Sequence, residues 1–218
     1  MFIGHFAVAL AAKKAAPKVS LGTLILSAQW VDLLWPVFLL LGLEHVRIDP
    51  GNTAVTPLDF YDYPITHSLA GALGWSVVLG LVYFAARRTA REAGIVGAVV
   101  FSHWVLDALT HRPDLALYPG SKTLVGFGLW NSVPGTVAVE FTMFAIGIVI
   151  YLRSTQARDG VGRYAFWSLI AMLAVLYIGN LVGPPPPSPR ALAIVALGAW
   201  IFVAWAYWAD RHRQAAVA

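Results

Sequence analysis

The chain contains no cysteine, which excludes disulfide staples, thiolate metal sites and a cysteine nucleophile. It is also poor in charge. Asp, Glu, Lys and Arg supply 12% of its 218 residues, about half the share usual in a globular protein. That scarcity excludes a disordered chain. The missing heptads and the missing glycine period exclude a coiled coil and a collagen-like fibre. Apolar residues dominate, at 59% of the chain, and the mean hydropathy is +0.69. The net charge of +4 would suggest nucleic acid in a soluble domain. In so apolar a chain the basic residues act as topology signals, and the expected surroundings are membrane lipid with no nucleic acid.

A membrane helix needs roughly 20 mostly apolar residues. Six stretches qualify: Leu21–Leu43, His67–Ala86, Ala93–Thr110, Trp130–Leu152, Tyr164–Val182 and Ala191–Ala209. A shorter apolar segment, Phe2–Ala12, ends at Lys13 and Lys14, the wrong order for a signal peptide. It reads as a re-entrant or interfacial helix. The fold class is therefore all-α, a polytopic bundle of six transmembrane helices plus this short N-terminal helix, forming one integral membrane domain over 1–218.

The basic residues alternate. Lys13, Lys14, Lys18, Arg87, Arg88, Arg91, Arg153, Arg158, Arg163, Arg211 and Arg213 fall on one side; Arg47, Arg112, Lys122 and Arg190 fall on the other. The positive-inside rule then puts both termini in the cytoplasm of a cell with an inner membrane. The opposite loops, Glu44–Thr66 and His111–Leu129, are long and rich in Pro, Gly, Asp and Tyr. Glu44 and His45 read as solvated loop residues. Asp59 and Asp62 are candidates to line a mouth. Pro184–Pro187 and Pro189 make a stiff turn between the last two spans.

An ionisable group at membrane depth costs a few kcal/mol or more and is a candidate functional group by default. Asp32, His103, Asp107 and Glu140 lie inside the spans, His67 and His111 at span ends, and His5 in the short helix. His103, Asp107 and His111 follow a four-residue spacing, which keeps them on one helical face. A His-x3-Asp pair so placed suits a divalent ion such as Zn²⁺ or Mn²⁺; it also suits a hydrogen bond between helices. Counted at 1.5 Å per residue from the basic ends of their helices, Asp32 and His103 reach similar depth. Thr66, before His67, is a plausible N-cap, and with Ser68 it stands at a helix start able to hold an anionic group.

These residues also carry a family pattern. Gly4-His5, the Asp32 segment, Thr66-His67-Ser68 and Ser102-His103-x3-Asp107 followed by Thr110 resemble the YdjM-like family of predicted membrane-bound metal-dependent hydrolases, over roughly Met1–Gly128. The resemblance implies a multi-pass hydrolase whose helices bring His5, Asp32, His67, His103 and Asp107 to one or two divalent metals. His111 is a further candidate ligand, Asp107 or Glu140 a candidate general base, and Thr66 and Ser68 candidate substrate contacts. An amphiphilic phosphoester would suit a site at that depth. The chain departs from the family at Gln29–Trp35, where Asp32 stands alone in place of a Pro-Asp-x-Asp-His cluster. It departs again at Tyr61–Ile65, in place of His-Arg-Gly. Two other readings use the same polar groups: a non-catalytic scaffold in which they join helices, and an ion or proton transporter.

Overall fold

The computed structural model describes residues 1–216. The chain is an all-α bundle with three small two-stranded antiparallel sheets, two of them hairpins. Helix α1 (Ile3–Ala15) precedes α2 (Leu21–Ala28) and α3 (Trp30–Leu40), which meet at an angle of 53°. Strands β1 (His45–Ile48) and β2 (Leu58–Asp62) form a hairpin that leads into the short α4 (Pro64–His67). Then come α5 (Leu69–Arg87), α6 (Ala90–Thr110), the hairpin β3 (Leu115–Ala116) with β4 (Leu124–Val125), and α7 (Val133–Ser154). Strand β5 (Thr155–Ala157) follows, then α8 (Gly160–Val182), α9 (Pro189–Ala196), α10 (Trp200–Arg211) and β6 (Arg213–Ala215), which pairs with β5.

Among the described residues α5, α6, α7, α8 and the continuous Pro189–Arg211 helix are each long and apolar enough to cross a membrane. The bent pair α2–α3 is long and apolar enough only when its two halves are counted together, as one broken span or as a re-entrant loop. Five of the six expected spans are thus recovered with shifted ends, and the first, Leu21–Leu43, corresponds to this bent pair. Trp130 lies in a 3-10 turn (Leu129–Asn131) before α7. His67 ends α4, so the crossing helix begins at Leu69. Its N-cap is Ser68, whose Oγ accepts from the Gly71 N–H, and not Thr66. The hydroxyl of Thr66 is committed instead to Glu44.

Helix α1 lies inside the bundle, against α7, α2 and α6, and not along its surface. Ile3, His5, Phe6, Ala7, Ala9, Leu10 and Lys13 are all buried. A helix buried on most of its faces is a core helix of the bundle. Its approach to α7 is permitted by Gly147, where a Cβ would stand 2.6 Å from the Ala7 carbonyl oxygen and 2.9 Å from the Ala7 Cα. At the basic end Lys13 Nζ donates to Asp210 (2.9 Å) and to the Val19 carbonyl (2.8 Å), and the Tyr151 hydroxyl donates to Asp210. Arg213, over the rings of Tyr151 and Phe166, donates to Thr155. These bonds fix the far end of α1 and the start of β6 to the same corner.

Because the group facing Gly147 is backbone, a side chain there cannot be absorbed by a rotamer change. Gly147→Leu should lower the unfolding free energy in detergent by about 1–3 kcal/mol, the usual penalty of overpacking. A variant as stable as wild type would show that α1 does not rest on α7 at this point.

Candidate metal centre

On α6, His103 Nε2 lies 3.1 Å from Asp107 Oδ2, and His111 Nε2 lies 3.9 Å from Asp107 Oδ1. The four-residue spacing therefore does place all three on one face. The other candidates reach that face from different elements. From α1, His5 Nε2 is 3.1 Å from Asp107 Oδ1, and the His5 ring stacks on His103 at 3.6 Å between centroids. From α3, Asp32 Oδ1 is 3.5 Å from His103 Nε2. From α4, His67 Nε2 is 3.3 Å from Asp32 Oδ1 and 3.8 Å from Asp107 Oδ2. The α-amino nitrogen of Met1 also donates to Asp107 Oδ1, at 2.6 Å.

Three of the imidazoles are held from behind. His103 Nδ1 donates to the Ala28 carbonyl at 2.7 Å. Ala28 is the last residue of α2, where carbonyls lose their intrahelical partners. His67 Nδ1 lies 2.6 Å from Thr66 Oγ1, and that hydroxyl donates to Glu44 Oε2 at 2.7 Å, so the ring N–H donates to the hydroxyl. His111 Nδ1 donates to Asp114 Oδ1 at 2.9 Å, and the Tyr63 hydroxyl donates to the same oxygen at 2.7 Å. Burial lowers the His111 pKa, which favours a neutral ring. In each case the outward bond assigns the proton to Nδ1 and turns Nε2 inward. Second-sphere acceptors fix metal-bound histidines in this way.

A His103 ring protonated on Nδ1 alone offers a lone pair to two carboxylate oxygens. Its buried Nε2 makes no hydrogen bond among the described residues. A nitrogen lone pair facing two carboxylates is reconciled by a cation between them, a proton or a metal ion. Two ligand groups satisfy the distances of a shared ion: His5, His103 and Asp107, and Asp32, His67 and His103. Imidazole and carboxylate are the donor set of Zn²⁺ and Mn²⁺ sites. The residues present fit a divalent ion. The break before α3 also helps, because Asp32 lies in the first turn of α3, where the helix dipole favours a negative charge.

Glu140 is buried beside the cluster: its Oε2 accepts from the Phe2 and Gly4 N–H groups, at 2.9 and 3.1 Å, and so holds the start of α1. The hydroxyls of Thr66 and Ser68 are both used internally, on Glu44 and Gly71. Glu44 is a correction to the reading of a solvated loop residue. It is 1% exposed, and accepts from the Ile65 and Thr66 N–H groups and the Thr66 hydroxyl, each within 2.8 Å. Burial pushes its carboxyl up, against those three donors. Tyr63, Asp114 and the Ala28 carbonyl are further supports that no local sequence signal marks. Asp59 is buried between Arg47 and Arg112.

Crossing helices around a buried, inward-facing His–Asp cluster define a multi-pass membrane protein with a potential metal-binding centre. The sequence matches the family described as YdjM inner membrane protein over residues 1–183. The chain belongs to that family, and the match extends past Gly128 through α7 and α8. No curated protein and no solved structure matches it.

The role of Glu44 can be measured without reference to metal. Glu44→Ala strips the acceptor from three buried donors, each worth about 1–3 kcal/mol when left unpaired, and should lower the unfolding midpoint clearly. His45→Ala, one residue on and exposed, should stay within about 0.5 kcal/mol of wild type. Equal effects would show that Glu44 does not carry α4.

Proposed function

We propose that this protein is a membrane-embedded metal-dependent hydrolase, with a divalent ion, Zn²⁺ or Mn²⁺, among His5, Asp32, His67, His103 and Asp107. The observation that carries the reading is the shared orientation of His67 and His103: Nδ1 bonded outward, Nε2 turned to Asp32 and Asp107. A bound ion supplies Lewis acidity toward a phosphoryl or carbonyl oxygen and makes water more acidic. The chain's own groups do the rest. Glu44 and Thr66 hold the His67 ring, and Ala28 holds that of His103. Asp32, the most open carboxylate of the cluster at 34% exposure, would be the ligand nearest an incoming substrate. Asp107, closed in by Met1, His5 and His103, serves as a fixed ligand.

A scaffold reading has its own support. The Met1 nitrogen and His5 both bond Asp107 directly, tying α1 to α6 with no ion required. Elemental analysis of purified protein should find one or two divalent ions per chain in wild type and close to none in Asp107→Ala. Chelator should lower the melting temperature of wild type and leave that of Asp107→Asn unchanged, since an ion bound only to the native state stabilises it by mass action. An equal response in both proteins, or none in either, favours the scaffold.

We also place the basic end in the cytoplasm, because eleven of the fifteen Lys and Arg residues lie on that side. Cysteines introduced at Asn52, Lys122 and Ser188 should react with an impermeant thiol reagent added outside the membrane. Reaction of a cysteine at Arg158 from that side would reverse the assignment.

A further inference from the structure

The cluster opens in one direction. The side chains of His67, His103 and Asp107 are 6%, 1% and 2% exposed, against 34% for Asp32. Asp32 lies at the wall of a cavity of about 440 Å³ between α3, α8 and the α9–α10 helix, within the range of about 300–1,000 Å³ typical of small-molecule sites. Most of that wall is apolar: Trp35, Leu176, Val195 and Phe202 line it. Gln29, at the bend between α2 and α3, lines it too. Gln29 is buried, and its side-chain Nε2 has no hydrogen-bond partner among the described residues. A buried amide left unpaired is costly, and an acceptor oxygen arriving through the cavity would satisfy it.

The route into this space runs through the crossing helices. Val195 is 77% exposed and Leu176 is 37% exposed, so the cavity wall continues onto the bundle surface between two helices apolar enough to cross a membrane. A larger cavity of about 600 Å³ at the hairpin end is lined by Arg47, Asp59 and Arg112, but by none of His5, Asp32, His67, His103 and Asp107. A water-soluble substrate entering there would meet ion pairs and not the cluster.

We propose that the Asp32 cavity takes one acyl chain of a glycerophospholipid, entering sideways from the bilayer between α8 and α9, with an ester oxygen of the head accepting from Gln29 Nε2. The chain passes from one apolar medium to another, so there is little gain from hydrophobic burial. Selection rests on the shape of the cavity and on the Gln29 donor. That this lipid is the substrate depends on the hydrolase reading; its occupation of the cavity does not.

The test uses the full chain in nanodiscs containing phosphatidylcholine with a diazirine in mid-chain. After irradiation, peptide mapping should find adducts on Trp35 and Phe6, which line the cavity and are only 6% and 2% exposed, out of reach of surrounding lipid. Gly198 also lines the cavity, and a Cβ there meets nothing within 4 Å. Gly198→Phe, whose Cβ has room, should therefore narrow the space and reduce those adducts at least fivefold, and Ala196→Phe provides a second plug should the first fail to fold. Gly74→Phe on α5, equally uncrowded, should leave them unchanged. Gln29→Leu should lower them several-fold by removing the donor. Adducts confined to outward-facing residues, or unchanged by both plugs, would overturn the proposal. Metal analysis of the same samples separates the two readings. Cavity adducts on metal-free protein would remove the hydrolase and keep the lipid site, whereas bound metal without cavity adducts would do the reverse.

Discussion

A carboxylate in hydrocarbon surroundings must be met by donors or by a cation, and the burial of Asp107 imposes that demand on the whole bundle. Its two oxygens are approached by nitrogens of Met1, His5, His67, His103 and His111. Bringing Met1 and His5 there requires α1 to run inside the molecule. An internal α1 in turn requires small residues on its neighbours, as at Gly147, and a partner for its own first N–H groups, which Glu140 provides. At the opposite end Lys13 has to meet Asp210. The position of α1, the least hydrophobically obvious helix of the chain, follows from the charge at Asp107.

Much of this is legible in the amino-acid sequence. The crossing segments follow from hydropathy, because lipid leaves the backbone no option but to close its hydrogen bonds within each helix. His103, Asp107 and His111 follow from periodicity, a local property. The convergence of Asp32 and His5 on them is suggested by depth. What escapes is what depends on partners distant in sequence. Glu44 sits beside an exposed His45 in a polar loop, and nothing local distinguishes it. Only its alignment with the N–H groups of Ile65 and Thr66, more than twenty residues on, buries it. The same carboxylate takes the Thr66 hydroxyl away from the capping role that its position suggests and leaves that role to Ser68.

The two departures from the family pattern read differently in three dimensions. Where the family has further acids, this chain has Gln29, Trp30 and Trp35 around a single Asp32. Gln29 and Trp35 line the apolar cavity, and Asp32 stands between them in sequence as its charged end. Where the family has His-Arg-Gly, this chain has Tyr63, whose hydroxyl supports Asp114 behind His111. Both segments put aromatic or amide groups near the cluster, and the imidazoles of His67 and His103 still face inward.

The bend at Gln29 shows how such a site constrains its own improvement. An unbroken helix from Leu21 to Leu40 would regain backbone hydrogen bonds and cross the membrane more cheaply. It would also return the Ala28 carbonyl to the helix ladder, releasing His103, and abolish the helix start that favours a charged Asp32. Variants selected for stability and variants selected for the cluster would therefore diverge at this one segment. A stabilised lineage should be recognisable by a straightened second helix and a centre that no longer assembles.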